Sequence, residues 1–328
     1  MNRDAWLILK SHMKIDSINW LTVFIFIFDV FLISLSWNLF SYGLIYKILS
    51  YLMASFAFLQ LYLILHEATH NAISKFSFIN DFFGHFCGFV VLIPYLPRQS
   101  SHLLHHTWTG HPVRDPSNNR MIKKFSVITE NEIAKLERIW KHWIPAIVIN
   151  DRIGLWLSPH KIKKQGHLTK KIEKELFWNK FYILNYFLFL IGLIAFQQLT
   201  SFAIWFIPSI TIAFIIEELV NLPHHAETPL LKPTDKAIPY WEQQKVTHSC
   251  KPIPIWSYFV ILNFNLHVAH HFFPTAPWNL LPELDQKIKE GLKNSEEHLN
   301  EFSWSIINRQ KPLMSLMGHY FLNKSQNE

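Results

Sequence analysis

The 328-residue chain is long enough for a sizeable core, but it is half hydrophobic, carries 28 Phe, and is only 17% charged, against roughly 25% in soluble domains. Its two cysteines, Cys87 and Cys250, are far apart, which argues against a zinc ribbon, an iron–sulfur cluster or a disulfide framework, and they read as buried structural thiols. A net charge of +7 and 19 histidines complete the picture: a membrane protein whose histidines need an explanation.

The opening stretch, MNRDAWLILKSHMKIDSINW, lacks the basic–apolar–small-residue order of a cleavable signal, so the first apolar segment is expected to stay in the membrane. Four segments, near 19–39, 44–65, 181–200 and 202–222, are apolar over the roughly 20 residues that a crossing helix needs. Uncharged NLFSYG joins the first pair and uncharged QQLTS the second, so each pair reads as a transmembrane hairpin. The second segment ends in His66-Glu-Ala-Thr-His70. A fifth apolar stretch, 79–96, is interrupted by Gly84, Gly88 and Pro94, and its length suits an interfacial or re-entrant helix better than a span. IPYLP then breaks the chain before His102-Leu-Leu-His105-His106.

Between 120 and 180, 14 Lys/Arg stand against 6 Asp/Glu, a net +8 that exceeds the +7 of the whole chain. Basic segments flanking spans stay cytoplasmic, so the termini and this central region are expected inside and both short turns outside. The basic balance is thus an orientation signal and not a nucleic-acid footprint. The fourth segment runs through Glu217 and Glu218 into Asn221-Leu-Pro-His224-His225, and the last cluster is His267-Val-Ala-His270-His271. Residues 283–328 are polar with a helical period, a cytoplasmic cap. No repeat or linker divides residues 1–328, which read as one domain. The expected fold is an all-α membrane protein, with two hairpins of spans and a cytoplasmic helical cap that carries the site.

Residues three and four apart share a helix face, so HxxxH and HxxHH aim two or three imidazoles into one volume. Two clusters hang from the inner ends of spans and two lie in segments that can fold beneath them. The dispersed His12, His142, His160, His167, His248, His298 and His319 read as snorkelling or capping residues. Imidazole suits iron, copper and zinc, and nine rings are too many for one ion and suit two. A zinc protease would use HExxH with Glu67 as base, but the membrane forms need a later LDG-type ligand segment, and LDG is absent. Haem-binding bundles place their histidines inside the spans, whereas these lie at the ends.

From about residue 60 to 285 the chain resembles the membrane-bound fatty acid desaturase and hydroxylase superfamily. The resemblance rests on HEATH, HLLHH and HVAHH in family order, on NLPHH, and on NFNLHVAHHFFPTAPWNLLPEL. It implies a non-haem di-iron centre with O₂ as co-substrate. The implied ligands are His66 and His70, His102, His105 and His106, and His267, His270 and His271. His225 would be a further ligand through the Asn-x-x-x-His element, with Asn221 holding a metal-bound water. His224 is then a neighbour. Glu67, His111, Asp115 and Glu218 are candidates to touch the ligands rather than the metal, since a ligating His usually donates its other N–H to a carboxylate or carbonyl. Glu67 is not the catalytic base under this reading. Glu217 and Glu218 are expected to contact the site or to pair with an interfacial lysine.

Attack on an unactivated C–H bond needs an oxidant that side chains cannot supply. The protein's task is to hold a methylene in a dry tunnel, which the Phe- and Trp-rich spans could wall. The chain has no GxGxxG, no Cys cluster and no HPGG, so an external donor (a ferredoxin, rubredoxin or b-type cytochrome) is implied. The basic 120–180 region is a candidate dock for it. The expected activity is O₂-dependent desaturation of a fatty acyl chain. The alternative is a hydroxylase or ketolase acting on a carotenoid, alkane or sphingoid lipid.

Overall fold

The computed structural model describes residues 2–13, 17–111, 113–116, 138, 142–225, 228 and 231–292. Among these residues there are helices and one isolated antiparallel bridge, Ile18 to Ser74, but no strand. Four helices are long and apolar enough to cross a membrane: α2 (Trp20–Leu39), α3 (Leu44–Thr69), α7 (Lys170–Ala195) and α8 (Leu199–Asn221). They follow a short N-terminal helix, α1 (Arg3–His12). The central span is α3, since 67% of its apolar window is buried against 11% for α7. It packs on α2, on α8 and on α4 (Ser77–Val90).

The spans differ from the sequence reading at their ends. The third span begins at Lys170, not near 181, because Thr169 caps it: the Ile172 N–H donates to its hydroxyl at 3.3 Å. The turn to α8 falls at residues 196–198, where Gln197 takes φ 56°, so Leu199 and Thr200 are already helical. α3 runs past residue 65 and carries His66 and Glu67 inside its last turn.

The fifth apolar stretch is a bent pair. α4 and α5 (Tyr95–Trp108) meet at 107°, and the chain reverses at Leu92, φ 62°. Gly84 and Gly88 do not interrupt α4 as the sequence suggested; they let the bend close. A Cβ on Gly84 would lie 2.3 Å from the Tyr95 ring, and one on Gly88 2.5 Å from the Ile93 carbonyl.

The remaining helices are α6 (Ile144–Lys164), α9 (His267–Phe272) and α10 (Leu281–Leu292), which buries Leu284 and Ile288. The polar stretch beyond 292 and the basic residues of 120–137 and 139–141 lie outside the described residues. One apolar core lies around the His-bearing ends of α3 and α5, including Ile64, Leu65, Tyr95 and Phe272, and a second joins α2, α3 and α8 through Phe58, Trp205 and Phe214. Cys87 and Cys250 are both buried and free.

Candidate metal centre

Four elements bring the histidines to one place. The last turn of α3 supplies His66, and its C-cap supplies His70, whose N–H closes on the Glu67 carbonyl at 3.1 Å. The next helix to contribute is α5, which turns back from the bend and buries His102, His105 and His106. α8 ends at Asn221, Pro223 stops the α-helix, and a 3₁₀ turn delivers His224 and His225. The six-residue α9 supplies His267, His270 and His271.

All nine histidines expected as ligands meet, in two groups. In the first, His66, His70, His102, His106 and His270 are buried and place one ring nitrogen each within 4.8 Å of all the others. Nε2 of His102 is 2.7 Å from Nε2 of His66 and 3.2 Å from that of His106, which lies 3.1 Å from Nε2 of His270. His105, His225 and His271 form the second group. His267 joins it, with Nε2 3.2 Å from that of His225 and 3.1 Å from that of His271. Nε2 of His105 and His225 are 3.2 Å apart.

Burial is the main force holding His70, His102, His106, His225, His267 and His271 well below the ordinary imidazole pKa, with neighbouring rings and, for His70 and His102, Arg98 adding to it. Burial likewise lowers His224 and His270 to about 3. These eight rings are therefore held neutral at pH 7, the state that ligates a metal. Neutral rings do not crowd acceptor nitrogens together for stability. Ligand atoms about 2.1 Å from one ion at near right angles lie ~3 Å apart, which is the spacing seen here. His70 adds to this: its nitrogen lies within 4.8 Å of those of four other buried rings, yet neither of its own ring nitrogens has a hydrogen-bond partner among the described residues. Both groups thus fit metal ions.

The remaining expected residues take different places. Asp115 faces His105, whose Nδ1 is 3.0 and 3.2 Å from its two oxygens, and it also accepts the Gly110 N–H at 3.1 Å. Glu67 accepts the backbone N–H of Trp278 at 2.9 Å and lies 4.0 Å from Nδ1 of His66, so it ties the C-terminal segment to α3. Nδ1 of His111 accepts the N–H groups of Val113 and Arg114, each at 3.1 Å, and touches no ligand ring through a hydrogen bond. His224 lies flat against His267, 4.2 Å between centroids at 11°. Asn221 donates to the Tyr62 hydroxyl at 3.2 Å and to the Glu217 carbonyl at 2.9 Å.

Two partners were not legible in the sequence. Arg152, on α6, forms a buried bidentate pair with Glu217 at 2.7 and 3.3 Å, in place of the lysine expected there. Gln243, 1% exposed, places Oε1 3.3 Å from Nδ1 of His271 and donates from Nε2 to the His106 carbonyl at 3.3 Å. Neither belongs to a motif, so no local signal marks them. A cavity of about 160 Å³ opens onto His102, His105, His225 and His267. Its walls include Arg98, Asp151, Arg152, Glu217, Glu218 and Asn221, so this approach is charged rather than the dry apolar tunnel expected.

Comparison with known proteins bears on this geometry. The sequence model of the family described as fatty acid desaturase matches residues 17–303. The sn-1 acyl-lipid omega-3 desaturase (ferredoxin) of Nostoc sp. is 23% identical over 310 residues, covering 87% of this chain and 80% of that one. The omega-3 fatty acid desaturase, endoplasmic reticulum, of Vigna radiata is 23% identical over 253 residues, covering 72% of this chain and 62% of that one. The omega-3 fatty acid desaturase fat-1 of Caenorhabditis elegans is 36% identical over 70 residues, 21% of this chain and 17% of that one.

Proposed function

The chain belongs to the fatty acid desaturase family, and from that premise we propose that it is an acyl-lipid desaturase that uses two non-haem irons, O₂ and electrons from a ferredoxin-type donor. It is an oxidoreductase and a multi-pass membrane protein. The observation that carries the metal reading is the two buried imidazole groups, with His70 unpartnered at both nitrogens. His66, His70, His102, His106 and His270 would hold one iron. His105, His225, His267 and His271 would hold the other, with Asn221 on a bound water.

When bound, the two irons supply O₂ reduction and hydrogen removal: –CH₂–CH₂– + O₂ + 2 e⁻ + 2 H⁺ gives –CH=CH– + 2 H₂O. The residues around them orient and exclude. Asp115 and Gln243 fix the ring planes of His105 and His271. Glu67 holds the Trp278 segment over the centre. The apolar core around the site confines water to the charged cavity beside His102, His105, His225 and His267.

Lys161, Lys163, Lys164, Lys170, Lys171 and Lys174 are exposed on either side of the α6–α7 turn. They support a cytoplasmic placement of this end and form a dock for an acidic donor. Ser100, two residues before His102, donates to Glu175 of α7 at 2.6 Å, so that dock adjoins α5. The name of the Nostoc relative specifies ferredoxin and acyl lipid. The chain is read as a single domain.

Expression in cells that lack the activity, with lipid profiling by gas chromatography with and without O₂, tests this. Oxygen-dependent new unsaturation is expected. A hydroxylated or ketone product would move the chain to the alternative chemistry of the superfamily, and an unchanged profile would overturn the proposal.

A further inference from the structure

Helix α1 precedes the residues matched by the family model, 17–303, yet it reaches the site. Trp6 is 5% exposed, and its Nε1–H donates to the carbonyl of Phe272 at 2.8 Å, the residue directly after His271. Its ring lies parallel to Tyr240 (6.0 Å, 5°) and to Phe273 (6.0 Å, 12°) and tilted on Trp241 (5.7 Å, 56°). Tyr240 and Trp241 open the 3₁₀ turn Tyr240–Lys245, which carries Gln243 to His271. One indole thus bears on both elements that flank His271. Neither could hold itself. A six-residue helix is too short to be stable by its own hydrogen bonds, and a 3₁₀ turn is looser still.

We propose that α1 is a clamp on the second imidazole group, with Trp6 and Gln243 as positioning residues for the metal that His271 helps to hold. The proposal rests on the metal reading above. Trp6 fixes the C-terminal end of α9 through the Phe272 carbonyl and the 240–245 turn through its ring faces. Gln243 then accepts Nδ1–H of His271, which sets that ring's tautomer and plane and leaves Nε2 toward His267. The same amide donates to the His106 carbonyl, so the clamp also sets the spacing of α5 and α9. The link to the first group is thinner: His66 and His70 stand on α3, and the clamp reaches this group through the backbone of His106 and through α9, whose His270 takes no hydrogen bond from Gln243.

The test uses the full chain loaded with ⁵⁷Fe, as wild type, Trp6→Phe, Trp6→Ala and Gln243→Leu. The rate of iron loss to a chelator and the Mössbauer spectrum are read, with the melting temperature as a check on folding. Gln243→Leu and Trp6→Ala are expected to lose one of the two irons about ten- to a hundredfold faster, the usual cost of a ligand's hydrogen-bond partner, with one iron environment altered and the other kept. Trp6→Phe keeps the ring but not the N–H and should fall between. If Trp6→Ala fails to fold, Trp6→Phe and Gln243→Leu decide the matter. Iron loss at the wild-type rate from folded variants overturns the clamp, as does an equal change at both irons that tracks the melting temperature. A wild-type chain that takes up no iron overturns the metal reading instead.

Discussion

The two imidazole groups are held in different ways. His66 and His70 of the first stand at the end of a 26-residue span, most of whose apolar window is buried. There the backbone does the positioning, and Nδ1 of His70 and of His106 find no partner among the described residues. The second group is assembled from the ends of elements and from the short α9, which also carries His270 of the first. His225 follows a 3₁₀ turn, His105 lies in the last turn of α5, and His267 and His271 share a six-residue helix. Here three of the four outer nitrogens are tied down, His105 by Asp115, His271 by Gln243, and His225 by the Val246 carbonyl at 3.3 Å, while Nδ1 of His267 has no partner among the described residues. A long buried helix fixes the direction of its side chains. A loop does not, so hydrogen bonds to the ring must.

The largest effect should come from the ligands. His70→Ala is expected to cost about one iron per chain and to reduce product to background, beyond the ~10–100-fold that loss of a ligand's hydrogen-bond partner costs. Iron analysis and lipid profiling check this, and unchanged iron content would break the comparison at its base. Asp115→Asn should weaken iron binding ~10–100-fold at the second group alone, measured by chelator competition; equal weakening at both groups would erase the distinction drawn here.

Glu67 comes next. Glu67→Ala leaves the Trp278 N–H buried without its acceptor, at a cost of about 1–3 kcal/mol, whereas Glu67→Gln keeps an acceptor oxygen and should retain activity within a few fold. Denaturation and turnover together read this out: a Gln variant of normal stability but ~100-fold lower turnover would make Glu67 part of the chemistry. The smallest effect is expected at His224. Its ring is buried and stacks on His267, but its nitrogens stand in neither of the two close nitrogen groups. His224→Leu, close to it in volume, should therefore keep both irons and shift stability by less than about 1.5 kcal/mol, as a volume-conserving swap does; loss of iron would add His224 to the ligands.

The sequence made much of this readable because the signals are local. Twenty-residue apolar runs mark spans, and i, i+3, i+4 spacing marks faces, so the four spans and the nine converging histidines were accessible from residues near each other in the chain. The ends of the third and fourth spans were not, because Thr169 and Gln197 act through caps and turns that hydropathy does not weigh. Gly84 and Gly88 look like helix breakers until Tyr95 is seen packed against them.

What the sequence by itself determined, then, is an all-helical membrane chain with histidines at the ends of its elements, because hydropathy and helical period are properties of short windows. Only the tertiary structure decided how nine rings divide into five and four, that Arg152 and not a lysine meets Glu217, and that Gln243 and Trp6 stand behind His271. Those pairings join residues as many as 266 apart. They depend on which surfaces become neighbours when apolar area is buried, and no local pattern encodes that.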